Sequence, residues 1–420
     1  MSKTEPLLPS EEPPNGSRSR AACVNLVATT VGAGVLSIPI SFSYTGLVPG
    51  LVILCAFAWL SDASLRYISD ASALMNAGSY AELGERVYGV IGRRLVLWSL
   101  LALLVGAVIQ VMICVIDLIE MLSAKLAGFE ASRNQITIGI TLITIVSSMP
   151  TQLHSLRLLS SVSVLSILFT AGCIVGLAAL DAGQDDSVPP YALVKPLSTH
   201  WVLAMPIHSL AFCSQFNIND LYNELPPTER LGGIVHFAIG ISLLIYALVG
   251  ATGYTLLGAR TDLFPNILTA FGDNKLVLAG SAAIAMVNLL KLPLVVLPLR
   301  SLLLDLCGVP PLNNVGHVAI TVIGVSLTGC AAVATKDLAF AFQVSGCTAG
   351  VMVCFCLPGL LYSGAKRLER QRTGLLLVAE GGGASAGSLG GVSCEELCGV
   401  GMLLIGATSG AVCLVSLLPS

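Results

Sequence analysis

The chain has 420 residues, 55% of them hydrophobic and only 11% charged, and a net charge of −3. A soluble domain carries about 25% charged residues, so this chain cannot clothe itself in a polar surface and belongs in lipid. The small net charge argues against a nucleic-acid binder, which would show a basic stripe.

The first 20 residues, MSKTEPLLPSEEPPNGSRSR, are polar and rich in Pro and Ser. Residues 1–21 are therefore expected to form a disordered cytosolic tail, and no cleaved signal peptide is recognisable. Within the tail, EPLLP resembles an acidic dileucine sorting signal with imperfect spacing. About 20 apolar residues cross the hydrocarbon core as a helix. Eleven such runs follow, at 22–45, 47–66, 95–122, 134–151, 157–180, 200–222, 231–257, 277–303, 314–334, 338–363 and 396–418. The third is long enough to tilt; the fourth is short and ends at Pro150. Two polar connectors, 183–200 and the Gly/Ser-rich 381–397, precede spans six and eleven.

Basic residues orient the chain. With a cytosolic N-terminus, fourteen of the 21 Lys and Arg fall on the cytosolic side, six outside, and Lys291 within a span. That asymmetry supports eleven spans and an extracytosolic C-terminus. The 13 cysteines are scattered through apolar runs with no CxxC or Cys/His spacing, which reads as buried apolar packing without disulfides or a metal site. No HExxH, Walker A or GxSxG motif occurs, so neither an enzyme nor an ATP-driven pump is expected, and no cofactor is.

Span one, NLVATTVGAGVLSIPISFSYTG, carries Gly32-Ala33-Gly34 in its middle and Pro39 soon after. Gly costs a helix interior about 1 kcal/mol and Pro about 3. Glycines at i and i+2 do not share a face, so their spacing suits a break better than a packing stripe, although close packing or a simple kink are the alternatives. A helix restarting near Val35 would present free N–H groups and a positive dipole end to an anion, with a carboxylate as the natural partner. Broken helices come in pairs in inverted-repeat transporters. The candidate partner is span six, with Pro206 and the polar cluster Ser214, Gln215, Asn217 and Asn219 before Asp220; the alternative is a helix ending at the interface. Spans one and six are five apart, which suggests repeats of five with span eleven added.

Lys291, in MVNLLKLPLVVLPLR, sits near mid-span. A cation there costs at least about 2.5 kcal/mol and must face a polar interior. Arg300 marks the cytosolic end about 14 Å away, too far for easy snorkelling. Asp117 and Glu120 share a face near the outer end of span three and read equally as an interfacial cap or a proton relay. Asp62 and Arg66 read as a structural i, i+4 pair, and His208 as a core histidine before a proton acceptor.

Several stretches together resemble the amino acid/auxin permease family, especially its sodium-coupled neutral amino acid transporter-like branch. VNLVATTVGAGVLSIPISFSYTG resembles the family's first helix, SYAELGERVYGVIGRRL its loop after span two, and AMPIHSLAFCSQFNINDLYNEL its sixth helix. LKLPLVVLPLRSLL and FQVSGCTAGVMVCFCLPGLLY resemble its eighth and tenth helices, and the likeness covers about residues 22–365 in order. The resemblance implies an all-α integral membrane protein of the leucine-transporter type, with a 5+5 inverted repeat and helices 1 and 6 broken. It divides the chain into a tail (1–21), a first five-helix repeat (22–180), an extracytosolic linker (181–199), a second repeat (200–365), a flexible cytosolic linker (366–395) and an eleventh helix (396–420).

Carried over by position, Gly32, Ala33 and Gly34 would hold a substrate carboxylate, the backbone from Cys213 through Ser214 and Gln215 to Phe216 would meet its amino group, and Thr29 would join the substrate site. Sodium-coupled members carry, beside the Asn25-like residue, a second Asn where this chain has Ala28, and a Thr where it has Lys291. Lys291 would then take the place of the sodium ion, bridging helices one and eight, or carry the coupling proton. The expectation is a monomeric secondary transporter of neutral or cationic amino acids in the plasma or an endolysosomal/vacuolar membrane, sodium-independent, with the proton as candidate coupling ion. The alternatives are an endolysosomal amino acid sensor signalling through its tail, and a transporter of another carboxylate solute.

Overall fold

The computed structural model describes residues 15–128, 131–149, 156–181, 190–225, 231–307, 314–379 and 393–417. Residues 1–14 of the expected tail, the EPLLP stretch, positions 182–189 of the first linker and 380–392 of the second lie outside the described residues, as does Pro150.

The described chain is helical. α1 (Asn15–Thr30) stops two residues short of a 3-10 turn, Ala33–Ser37, which leads into α2 (Ile38–Thr45). The two halves are bent by 44°. Pro39 sits in the first turn of α2, where its missing N–H costs nothing. α3 (Leu47–Met75) follows Gly46, whose φ of +93° and contact with the 193–195 backbone admit no side chain. α4 (Tyr80–Leu122) is capped by Ser79, which accepts the Glu82 N–H, and is broken at Gly89 by a φ of +65°. α5 (Arg133–Ser147) and α6 (Leu156–Asp181) complete the first half.

α7 (His200–Ala211) and α8 (Ile218–Glu224) are separated by an irregular stretch and a 3-10 turn at Gln215–Asn217. α9 (Leu231–Leu257), α10 (Lys275–Cys307) and α11 (Asn314–Thr335) follow. α12 (Leu338–Ser345) reaches α13 (Leu357–Ala379) through π turns at Gly346–Gly350 and Met352–Cys356, and α14 (Cys394–Leu417) closes the described chain. Among the described residues seven helices are long and apolar enough to cross a membrane, and the bent α1–α2 pair makes an eighth.

The packing explains the breaks. α10 lies along α4 and α6, while α9 lies along α1, α2, α3 and α6, so the interrupted helices are enclosed by continuous ones. Freed backbone groups at membrane depth survive only where protein or a cavity receives them. Gly346 packs directly on the Pro206 carbonyl of α7, and Gly106 on Ser345, so π-distorted backbone seats between α4 and α7.

Two expected boundaries differ. α1 begins at Asn15, inside the expected tail, and α13 runs on to Ala379, inside the expected linker. The stretch RLERQRTGLLLV is built from good helix formers, which the Gly/Ser composition further on had masked. All thirteen cysteines are unpaired.

Candidate functional site

At the first break α1 ends with the Val31 N–H on the Val27 carbonyl at 2.7 Å and the Gly32 N–H on the Thr30 carbonyl at 3.0 Å. The 3-10 turn that follows leaves the Ala33 and Gly34 N–H groups at its open N-terminal end. A side chain at Gly32 would meet nothing within 4 Å, whereas one at Gly34 would press on the Ala211 Cα at 3.3 Å. The two glycines thus do different things: Gly32 faces open space, and Gly34 lets the two breaks touch.

The second break is held by side chains. Gln215 Oε1 accepts the Ser214 N–H at 2.9 Å, and Gln215 Nε2 donates to Ser61 Oγ at 3.1 Å and Ser64 Oγ at 3.3 Å on α3. Ser61 Oγ in turn donates to the Phe212 carbonyl at 2.9 Å. Asn217 Nδ2 donates to Thr29 Oγ1 at 3.3 Å, tying the second break to α1.

Between the breaks lies a cavity of about 430 Å³. Of the candidate residues, Asn25, Ala28, Thr29, Gly32, Ala33, Gly34, Cys213, Phe216 and Lys291 line it. Ser214 and Gln215 do not: both are fully buried behind the wall, and Gln215 serves α3. Lys291 Nζ donates to the Ala28 carbonyl at 3.4 Å, so this ammonium links α10 to α1.

The cavity also has walls that the sequence did not single out. Gln110 lines it from α4 and donates to the Ala341 carbonyl at 3.2 Å. Asn288 lines it one turn before Lys291 and on the same face of α10, a spacing that would have found it. Asp220 lines the mouth and is exposed, as is Phe216 beside it.

The remaining polar candidates lie elsewhere. Arg133 bridges Asp117 at 2.8 Å and Glu120 at 2.9 Å beside a separate cavity of about 720 Å³ that Asn266 and Lys336 also line. Asp62 pairs with Arg66 at 2.9 Å and with His236 Nδ1 at 2.7 Å. His208 is fully buried between Phe42 and Phe57, with Nε2 3.2 Å from Ser41 Oγ. Among the described residues no group of three or more His, Cys, Asp or Glu is arranged to hold a metal ion.

Apolar membrane-length helices around a mainly apolar cavity set with a few polar groups, with a broken helix on its wall, are those of a multi-pass membrane transporter. The chain belongs to the family described as transmembrane amino acid transporter protein, whose model matches residues 15–378. It is thus a transporter-family protein of the membrane, and not an enzyme. It is 27% identical over 381 residues to amino acid transporter AVT6B of Arabidopsis thaliana, covering 82% of each chain. Against solute carrier family 38 member 10 of Homo sapiens it is 24% identical over 362 residues, which is 80% of this chain and 32% of that longer protein. Among solved structures, a mutant of the Eremococcus coleocola manganese transporter matches with a TM-score of 0.53 at 11% identity over 97% of each chain. A substrate-bound, outward-open Na+-coupled sialic acid symporter matches at 0.51 and 14% identity, over 96% of this chain and 90% of that one. At such identities the likeness shows the fold alone.

Proposed function

We propose that the protein is a secondary active transporter of neutral or cationic amino acids, sodium-independent, working by alternating access around the cavity between the two breaks. The proposal includes eleven spans with a cytosolic N-terminus, in which α1–α2 form span one, α7–α8 form span six, and spans one to five and six to ten are inverted repeats. The substrate carboxylate would lie on the Ala33 and Gly34 N–H groups, aided by the positive end of the restarted helix. Asn25, Asp220 and Phe216 line the part of the cavity toward the cytosolic ends of spans one and six, so this conformation would face the cytosol. The proposed form is a monomer in a plasma or endolysosomal/vacuolar membrane.

The observation that carries sodium independence is Lys291 Nζ on the Ala28 carbonyl at 3.4 Å. When protonated, Lys291 supplies there the positive charge between spans one and eight that a bound cation would otherwise provide, and its like charge would repel that cation. A proton is then the candidate coupling ion, with Lys291 as the group that exchanges it. The test is amino acid uptake into proteoliposomes under separate sodium and proton gradients. Uptake that ignores sodium is expected, and strict sodium dependence of the wild type would refute the proposal. Lys291→Thr is expected to change ion dependence while leaving protein yield within about twofold, since a half-buried Thr strands no charge; equal loss of both would make Lys291 structural.

A further inference from the structure

Tyr246, on α9, is fully buried, and its ring stands edge-on to Phe212 with centroids 5.0 Å apart. Its hydroxyl is 2.7 Å from the Thr30 carbonyl and 2.7 Å from the Ala211 carbonyl. These are the last carbonyls of α1 and α7, the half-helices that end at the two breaks. A phenol has one proton to donate. Two carbonyls at O–H···O distance therefore compete for it, and the one without it faces a lone pair instead of a donor.

The competition is uneven in this conformation. The Thr30 carbonyl has a second donor, the Gly32 N–H at 3.0 Å. The Ser214 N–H, which a 3-10 turn would bring to the Ala211 carbonyl, is taken by Gln215 Oε1 at 2.9 Å. The phenolic proton is thus worth more on Ala211. Given the transport reading above, on which this inference rests, α1 is the inner half of span one and α7 the outer half of span six. The proton then pins an outer half-helix while the inner one is released, in a conformation whose cavity opens inward.

We propose that the Tyr246 hydroxyl is an interlock between the two gates. Donated to Ala211, it holds the outer half of span six closed and leaves α1 free to swing; donated to Thr30, it holds α1 closed and frees α7. One proton for two carbonyls keeps both halves from being pinned, or both released, at once. Tyr246 does not line the cavity, so it acts as a positioning residue and touches no substrate.

Tyr246→Phe keeps the ring on Phe212 and removes only the hydroxyl. In proteoliposomes it is expected to cut initial uptake about tenfold or more, the equivalent of one hydrogen bond of about 1.4 kcal/mol, while the substrate dissociation constant stays within about threefold. Wild-type uptake by Tyr246→Phe overturns the interlock alone, and so does a loss of affinity that matches the loss of uptake. Absence of amino acid uptake by the wild type overturns the transport reading, and the interlock with it. 3-Fluorotyrosine placed at position 246 gives a second readout: its fluorine resonance is expected to shift when saturating amino acid is added, as the acceptor changes. A resonance that does not move overturns the interlock whatever the yield of the Phe variant.

Discussion

Gly32 and Gly34 are two residues apart and would be indistinguishable on a propensity scale. The space around them separates their roles. Gly32 has open cavity beside it, so an alanine methyl there meets no neighbour but takes up cavity space where the proposed substrate would lie. Gly34 touches Ala211, and a branched side chain would drive the two breaks apart at a cost of about 1–3 kcal/mol. Gly32→Ala is therefore expected to keep a wild-type melting temperature and lose substrate affinity, whereas Gly34→Val loses both. Melting curves with and without saturating amino acid distinguish the two. The spacing of Gly-Ala-Gly favoured a break over close packing or a kink, and the helix is broken there. It did not show which glycine faces open space, because that depends on Ala211, which lies 177 positions beyond Gly34 in the chain.

At the scale of elements, the second break is stabilised from outside itself. Ser61 and Ser64 on α3 receive Gln215, and Ser61 holds the Phe212 carbonyl. Gln215→Leu would strand the Ser214 N–H and deprive two buried serines of a partner, and each stranded group costs about 1–3 kcal/mol. The expected outcome is a markedly lower melting temperature. Gln215→Glu still offers an acceptor to Ser214, so its melting temperature is expected to fall between those of the wild type and Gln215→Leu. The polar run from Ser214 to Asp220 marked this stretch as more than a spanning helix. It was not legible that Ser214 and Gln215 turn into the scaffold while Asn217 and Asp220 face the cavity, since a broken helix has no fixed period to assign faces.

The whole molecule sets the orientation of these parts. The proposed eleven spans would put the termini on opposite sides of the membrane. An epitope before Asn15 is expected to be reached only after permeabilising cells, and one after Leu417 without it, when the protein is at the cell surface; both tags on one side would remove a span and reverse half of the assigned gates. On the side away from the Asp220 mouth, Gln343 of α12 donates to Tyr44 Oη at 3.3 Å and to the Leu203 carbonyl at 3.4 Å. One side chain thus clamps α2 and α7 together.

Composition by itself determined that this chain lives in lipid, because a hydrocarbon solvent penalises charge and leaves an unmistakable excess of apolar residues. Local chemistry determined where the first helix breaks, because Gly and Pro act on their own backbone whatever surrounds them. Only the tertiary structure decided what the breaks touch. The reach of Lys291 to Ala28, the contact of Gly34 with Ala211 and the single Tyr246 proton offered to two carbonyls all join positions far apart in the chain, and distance through space leaves no periodic trace in sequence.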